Sequence, residues 1–191
     1  MSPLLQSSAL VAFHDGLAPR PAGAIGDAVE ANHHHNQSLW REEDLARRRN
    51  VPDSEIAKNK RNIDGHNQKR NDAIERIDET LLQSLVTVKI KTDARLNSET
   101  AGAMVDRLSI VSLKIRAMRE QTERTDVDAA HVEACRQKLA RLLEQRRDLG
   151  GCLDRLLAEA ARGESYFKVY RQFKMYNDPK LNPAIYGEKG D

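Results

Sequence analysis

Residues 131–157 read HVEACRQKLARLLEQRRDLGGCLDRLL. Val132, Cys135, Leu139, Leu142, Arg146, Leu149, Leu153 and Leu156 recur there at alternating steps of three and four, which places them on one face of a long helix. Arg146 is the only polar residue in that seam. Gly150 and Gly151 would either kink the helix or let another backbone approach it closely, and close approach is the preferred reading. With Asp126 as cap, the helix is expected over about 126–162.

The rest of the chain reads in the same way. Met104, Leu108, Val111, Ile115 and Met118 mark a helix over about 98–124, capped by Asn97 or Ser98. Asn50, Val51 and Pro52 separate helices over about 22–48 and 53–90, the second opening at Asp53. After Gly163 a shorter helix is expected over about 164–176, until Asn177, Asp178 and Pro179 stop it and an irregular tail follows. The fold class is therefore all-α: an antiparallel four-helix bundle with an additional short C-terminal helix, preceded by an N-terminal arm or short helix over residues 1–21. Residues 22–191 form one domain.

Composition excludes several classes of function. With 31 basic and 29 acidic residues among 191, the chain carries a net charge of +2, so the field expected of a nucleic-acid binder is missing. Arg47, Arg48 and Arg49 read as a solvated helix end. No apolar run approaches the ~20 residues that span a bilayer. The opening MSPLLQSSALVAFHDG lacks the charged start and cleavage site of a secretory signal. Cys135 and Cys152 on one helix would stand about 25 Å apart, too far for a disulfide; two free, buried thiols suit a cytoplasmic location.

The functional clue is polarity where a simple bundle would place leucine. His33, Asn36, Trp40, Glu43 and Arg47 share one helix face, and Asn67 and Arg70 lie on the facing seam with Asp64 beside it. Equal rise per residue about a turn near residue 50 sets His33 level with Asn67 and Asn36 with Asp64. Burying such groups costs several kcal/mol each unless they are paired. They form either a closed structural network involving Arg47, Arg70, Glu43, Asp44 and Glu75, or a ligand pocket.

A second polar group combines Asp106 and Arg107 with Gln145, Arg146 and Asp148, and the doubling back at Gly163 would bring Tyr170, Arg171, Lys174 and Asn177 over the glycine pair. Six of the eight aromatic residues lie at positions 166–186. Interleaved with Lys168, Arg171 and Lys174, they suit stacking on a nucleotide or sugar phosphate, or else form an amphipathic lid. Glu30 and His33 make a single Glu-x-x-His pair, which is not a di-iron site; no metal and no cofactor are expected. His33, Glu43 and Asp64 are the weak candidates for acid-base catalysis, with no spacing that singles out a pair.

Five segments, HHHNQSLWREEDLAR (33–47), NKRNIDGHNQKRNDAIERID (59–78), MVDRLSIVSLKI (104–115), LLEQRRDLGGCLDRLL (142–157) and YRQFKMYNDPKLNP (170–183), occur in this order. Together, from about Glu30 to Tyr186, the chain resembles a bacterial family catalogued as domain of unknown function 4254. The resemblance implies similar helical proteins, some encoded beside glycosyltransferases of lipopolysaccharide or other surface-glycan pathways. Its family-like positions are His33, Asn36, Trp40, Glu43, Asp44 and Arg47, then Asp64, Asn67 and Arg70, then Asp106 and Arg107, then Arg146 and Asp148, and last Tyr170, Arg171, Lys174 and Asn177. The expected function is a binding or accessory protein of surface-polysaccharide biosynthesis recognising a phosphorylated sugar, a nucleotide-sugar or the glycosyltransferase that uses one. The alternatives are a glycan-modifying transferase or hydrolase and a structural helical homo-oligomer.

Overall fold

The computed structural model describes residues 5–173, 175 and 178–187. Its elements, in chain order, are α1 (Ser7–His14), α2 (Gly23–Leu45), α3 (Asp53–Ser84), β1 (Arg95–Leu96), α4 (Ala101–Thr122), α5 (Ala129–Ala161), β2 (Ser165–Tyr166) and α6 (Pro183–Tyr186). The chain is mostly helical, as its apolar periodicity predicts. α2 packs on α3 and α4 on α5, and α4 also touches α1, α2 and α3. No described helix is long and apolar enough to cross a membrane.

Local chemistry sets the ends of these helices. Pro52 precedes the first residue of α3, where its fixed φ and missing N–H cost nothing. α3 stops at Ser84 rather than near residue 90 because Val86, Thr87, Val88 and Ile90 are β-branched and poor helix formers. Thr100 caps α4 through Ala103 N–H and Asp128 caps α5 through His131 N–H, displacing the expected Asn97 or Ser98 and Asp126. Asp126 pairs instead with Arg124.

The region expected to form a helix over 164–176 does not do so in its described part. Ser165–Tyr166 pairs in parallel with Arg95–Leu96 and the chain then continues without regular secondary structure through residue 173. Burial alternates along it, with Ser165 and Phe167 inside and Lys168 outside, which is the period of a strand. Gly163 makes the turn, at φ +68°.

The apolar core joins Leu10 of α1, Val29 of α2, Ile77 and Leu81 of α3, Val105 and Leu108 of α4, Leu153 and Leu156 of α5, and Phe167. Leu10 is 0 % exposed, so the N-terminal helix is a full member of the core and not a loose arm. α1 also accounts for the glycine pair. A Cβ on Gly150 would lie 3.0 Å from Ser7 Oγ, whereas one on Gly151 would meet nothing. Ser7 in turn donates from its N–H and hydroxyl to Asp154. The close approach is therefore made by α1, and α5 runs unbroken through both glycines. Cys135 is buried, while Cys152, expected inside, is exposed.

A second close approach fixes α3 against α4. Gly102 N–H donates to the buried Asp78 carboxylate at 2.6 Å, so Asp78 also completes the start of α4. A Cβ on Gly102 would lie 2.5 Å from the Ile74 carbonyl oxygen. Gly102→Ala is therefore expected to destabilise the protein by about 1–3 kcal/mol, and Gly151→Ala, inside a helix with open space around it, to stabilise it by about 0.5–1 kcal/mol. Urea unfolding measures both, and equal effects would contradict the packing described.

Candidate functional site

The polar residues of α2 and α4 meet at a buried crossing. Asp106 accepts hydrogen bonds from the side-chain amides of Asn32 and Asn36, each at 2.8 Å, and Asn36 also donates to Ser109 Oγ at 3.1 Å. His33 Nδ1 shares a hydrogen bond with the same serine at 2.8 Å. All five side chains are buried. Asn32, His33 and Asn36 lie within one turn of α2, and Asp106 and Ser109 are three apart on α4, so each helix contributes one compact polar face. Its short side chains satisfy one another, with Gln37 on His33 Nε2 at 3.0 Å and Arg70 Nε 4.0 Å from Asp106 at its edges.

Open space lies on either side of it. Between α2, α3 and α4, a cavity of ≈ 330 Å³ is walled by Asn36, Trp40, Glu43, Asp44, Arg47, Asn67 and Arg70, with Leu39, Ile110 and Leu113 beneath. Seven of the residues singled out in the sequence are thus brought to one place. Asn36 is tied inward and Arg47 is paired with Glu43 at 2.7 Å. Trp40, Asp44 and Asn67 make no side-chain hydrogen bond, and Arg70 Nε is buried without one, its nearest carboxylate oxygen, on Asp106, being 4.0 Å away.

The second cavity, ≈ 660 Å³, lies between α1, α2 and α4. Its floor is the His14 ring stacked on His33, with centroids 4.6 Å apart and planes at 27°. Both ring nitrogens of His14 are buried and unpartnered. Burial, then the neighbouring His33 and Arg146, holds the His14 pKa down to about 3. Burial and Arg116, partly opposed by Asp15, hold His33 down to about 4. Both rings are neutral near pH 7.

The second polar group anticipated from sequence does not assemble. Asp106 turns toward α2, while Arg107 points outward to Glu99 at 2.7 Å. Arg146 is inside as expected, but its guanidinium binds both oxygens of Asp15 at 2.8 Å and reaches Ser112, not Asp106. Long side chains lean toward their helix N-terminus, which moves this charge about one turn from the level of its Cα. At 12 % and 13 % exposure the two side chains form an interior ion pair. Asp148 is exposed and, with Arg107, borders a separate groove along α4 and α5.

The remaining candidates are peripheral. Asp64 is exposed and ion-paired with Lys60, outside both cavities. Arg171 pairs with Glu75 and Glu79, and Gln172 accepts from Asn71 Nδ2, so this segment runs along α3 instead of covering the glycine pair. Tyr170 is exposed, and Lys174 and Asn177 lie outside the described residues. His35 meets His66 at 3.2 Å, one residue from the level expected to set His33 beside Asn67. His33 simply turns to α4.

Sequence reasoning missed Asn32, Ser109, Ser112, His14 and Asp15. Asn32 precedes Asn36 by four, and Asp106, Ser109 and Ser112 recur every three residues through an apolar helix, so a polar stripe was there to find. Nothing local ties Asp15 to a partner 131 positions away. Among the described residues no group of three or more His, Cys, Asp or Glu is arranged to hold a metal ion.

Residues 26–169 match the model of the family described as protein of unknown function (DUF4254), and the chain belongs to that family. The match begins after α1 and ends before YRQFKMYNDPKLNP. Comparison with curated proteins and with solved structures gave no match.

The histidine floor makes a testable demand on stability. His14 and His33 have folded pKa values below the 6.5 of the unfolded chain, so their contribution is complete above pH 6.5 and is lost as pH falls from there toward about 4 and about 3. Between pH 6.5 and pH 5 each ring should forfeit on the order of 1–2 kcal/mol. Asp78, raised by burial to about 6, works in the opposite sense: its penalty is relieved as pH falls from about 6 toward 3.8. Comparing wild type with His14→Phe cancels that term, and urea unfolding at both pH values should show a shallower loss in the variant; identical slopes would contradict the neutral pair.

Proposed function

We propose that this member of the DUF4254 family is a binding or accessory protein of bacterial surface-polysaccharide biosynthesis. Its ligand is an anionic sugar, a sugar phosphate or nucleotide-sugar, held in the cavity of α2, α3 and α4. The observation that carries the reading is the gathering there of Trp40, Asp44 and Asn67, side chains with no hydrogen bond of their own, and of Arg70, which is held only by a long ion pair to Asp106 at 4.0 Å. A structural network would have used those groups up, as it does at Asp106 a few ångströms deeper. An indole face suits the C–H face of a sugar ring, amide and carboxylate groups suit its hydroxyls, and Arg47 and Arg70 suit its phosphate. The volume falls within the about 300–1,000 Å³ typical of small-molecule sites.

The fold supports this by rigidity. We read α2–α3 and α4–α5 as two antiparallel hairpins, forming the four-helix bundle with α1 as an added wedge, so the site sits on helices whose register is fixed by the buried crossing. Surface-glycan biosynthesis, with a glycosyltransferase as partner and the cytoplasm as location, is what the family resemblance implies. A transferase or hydrolase would keep only one of its two proposed carboxylates at this cavity, since Glu43 borders it and Asp64 does not. Binding is therefore preferred to catalysis. Homo-oligomerisation would have to use another surface, such as the groove between α4 and α5.

Trp40 is the chain's single tryptophan and borders both this cavity and the groove along α4 and α5, so its fluorescence reports a ligand in either, and Arg70, which lines only the first, tells them apart. Titration with glucose 1-phosphate, glucuronate and UDP-glucose should give a saturable change with at least one of them. Arg70→Gln should weaken that ligand about 10- to 100-fold, the worth of one charge-assisted hydrogen bond. A flat response across the panel sinks the reading.

A further inference from the structure

The cleft between α1, α2 and α4 is not used by the reading above, and its charges do not balance. The acids on its wall are already ion-paired, Asp15 with Arg146, and Asp27 and Glu30 both with Arg20. Arg116 and Arg119, three apart on α4 and so neighbours on its surface, line the same cleft, and their side chains form no ion pair or hydrogen bond. Two guanidinium groups without an ion-pair partner therefore stand at the mouth, and four arginines against three acids leave a net positive charge there. At the bottom, His14 is 7 % exposed and offers two ring nitrogens that nothing satisfies.

These two features are costly for the empty protein and in the same cavity. Two like charges a turn apart repel, and a buried polar group without a partner loses its hydration for nothing. Phe at position 14 would pack against Phe13 and His33 at no such cost, yet the sequence places histidine there. A ligand that brings two negative charges to the mouth and hydrogen-bonding oxygens to the floor would relieve both at once.

We propose that this cleft is a second binding site, for a phosphate monoester. Arg116 and Arg119 take the charge of the phosphate, and His14, stacked on a His33 ring whose own nitrogens are occupied by Ser109 and Gln37, meets its inner oxygens. A neutral imidazole presents one N–H donor and one lone pair, and a phosphate group can accept from the first and, when it carries a proton, donate to the second. The volume of ≈ 660 Å³ leaves room for the organic part of the ester beside the phosphate. His14 lies before the family-matched stretch while His33, Arg116 and Arg119 lie within it, so α1 closes a site that the rest of the domain begins.

Calorimetric titration of the full chain near pH 7 with inorganic phosphate and with phenyl phosphate tests this. Phosphate should bind, and phenyl phosphate should bind more tightly. Arg116→Gln/Arg119→Gln, both exposed positions, should lose about tenfold or more in affinity with an unchanged helical circular-dichroism spectrum. His14→Phe should bind phosphate more weakly while unfolding at a higher urea concentration, a combination that a merely structural histidine would not give. Arg70→Gln, in the other cavity, should bind both probes as wild type does, and Trp40 fluorescence should stay unchanged. Absence of heat with either probe, unaltered affinity in the double variant or in His14→Phe, or loss of binding in Arg70→Gln would overturn the proposal.

Discussion

The Asp106 carboxylate, taken out of water at the crossing of α2 and α4, is the constraint on which the arrangement depends. A buried carboxylate is tolerated only if donors replace its hydration, and here Asn32 and Asn36 supply them, with Ser109 and His33 continuing the chain of bonds. Leucines at these positions would hold the helices together as well, but over a broad and slippery surface. Directional bonds between short side chains admit one register. That register sets Trp40 and Arg70 around one hollow and His33 beneath another.

The two hollows differ in what they leave unsatisfied. On the α3 side the open groups are an indole, an amide, a carboxylate and a guanidinium, the mixture that reads a polyhydroxylated anion. On the α1 side three acids are ion-paired with Arg20 and Arg146, and Arg116 and Arg119 stand unpaired over a neutral aromatic floor. Both contrast with the α3–α4 contact at Gly102, where Asp78 and the backbone meet so closely that no ligand could enter. Polarity in this protein is thus of two kinds, one sealed and one exposed to a cavity, and only the second bears on function.

Much of this was legible in the chain because helix periodicity is a local signal. The three–four spacing from Val132 to Leu156 specifies α5, and the polar stripe from His33 to Arg47 identifies the residues of the α3-side cavity. What periodicity could not supply was the direction in which a polar residue turns when two helices compete for it. Asp106 was grouped with Arg146 by height, yet it faces α2; Arg146 answers instead to Asp15, whose place is fixed by α1 packing through Leu10. The segment after Gly163 misled for a different reason. Tyr, Phe and Val there have the alternation of a strand, but the strand exists only because Arg95 and Leu96, some seventy residues earlier, offer a backbone to pair with.

A double-mutant cycle on Asn36 and Asp106 tests the central constraint most directly. Asn36→Ala, Asp106→Ala and the double variant would be unfolded in urea under identical conditions. If the buried hydrogen bond sets the crossing, the two losses should fall short of additivity by about 1–3 kcal/mol. Losses that simply add, within about 0.3–0.5 kcal/mol, would mean that the carboxylate and the amide do not depend on each other, and the account of how both cavities are held open would fail.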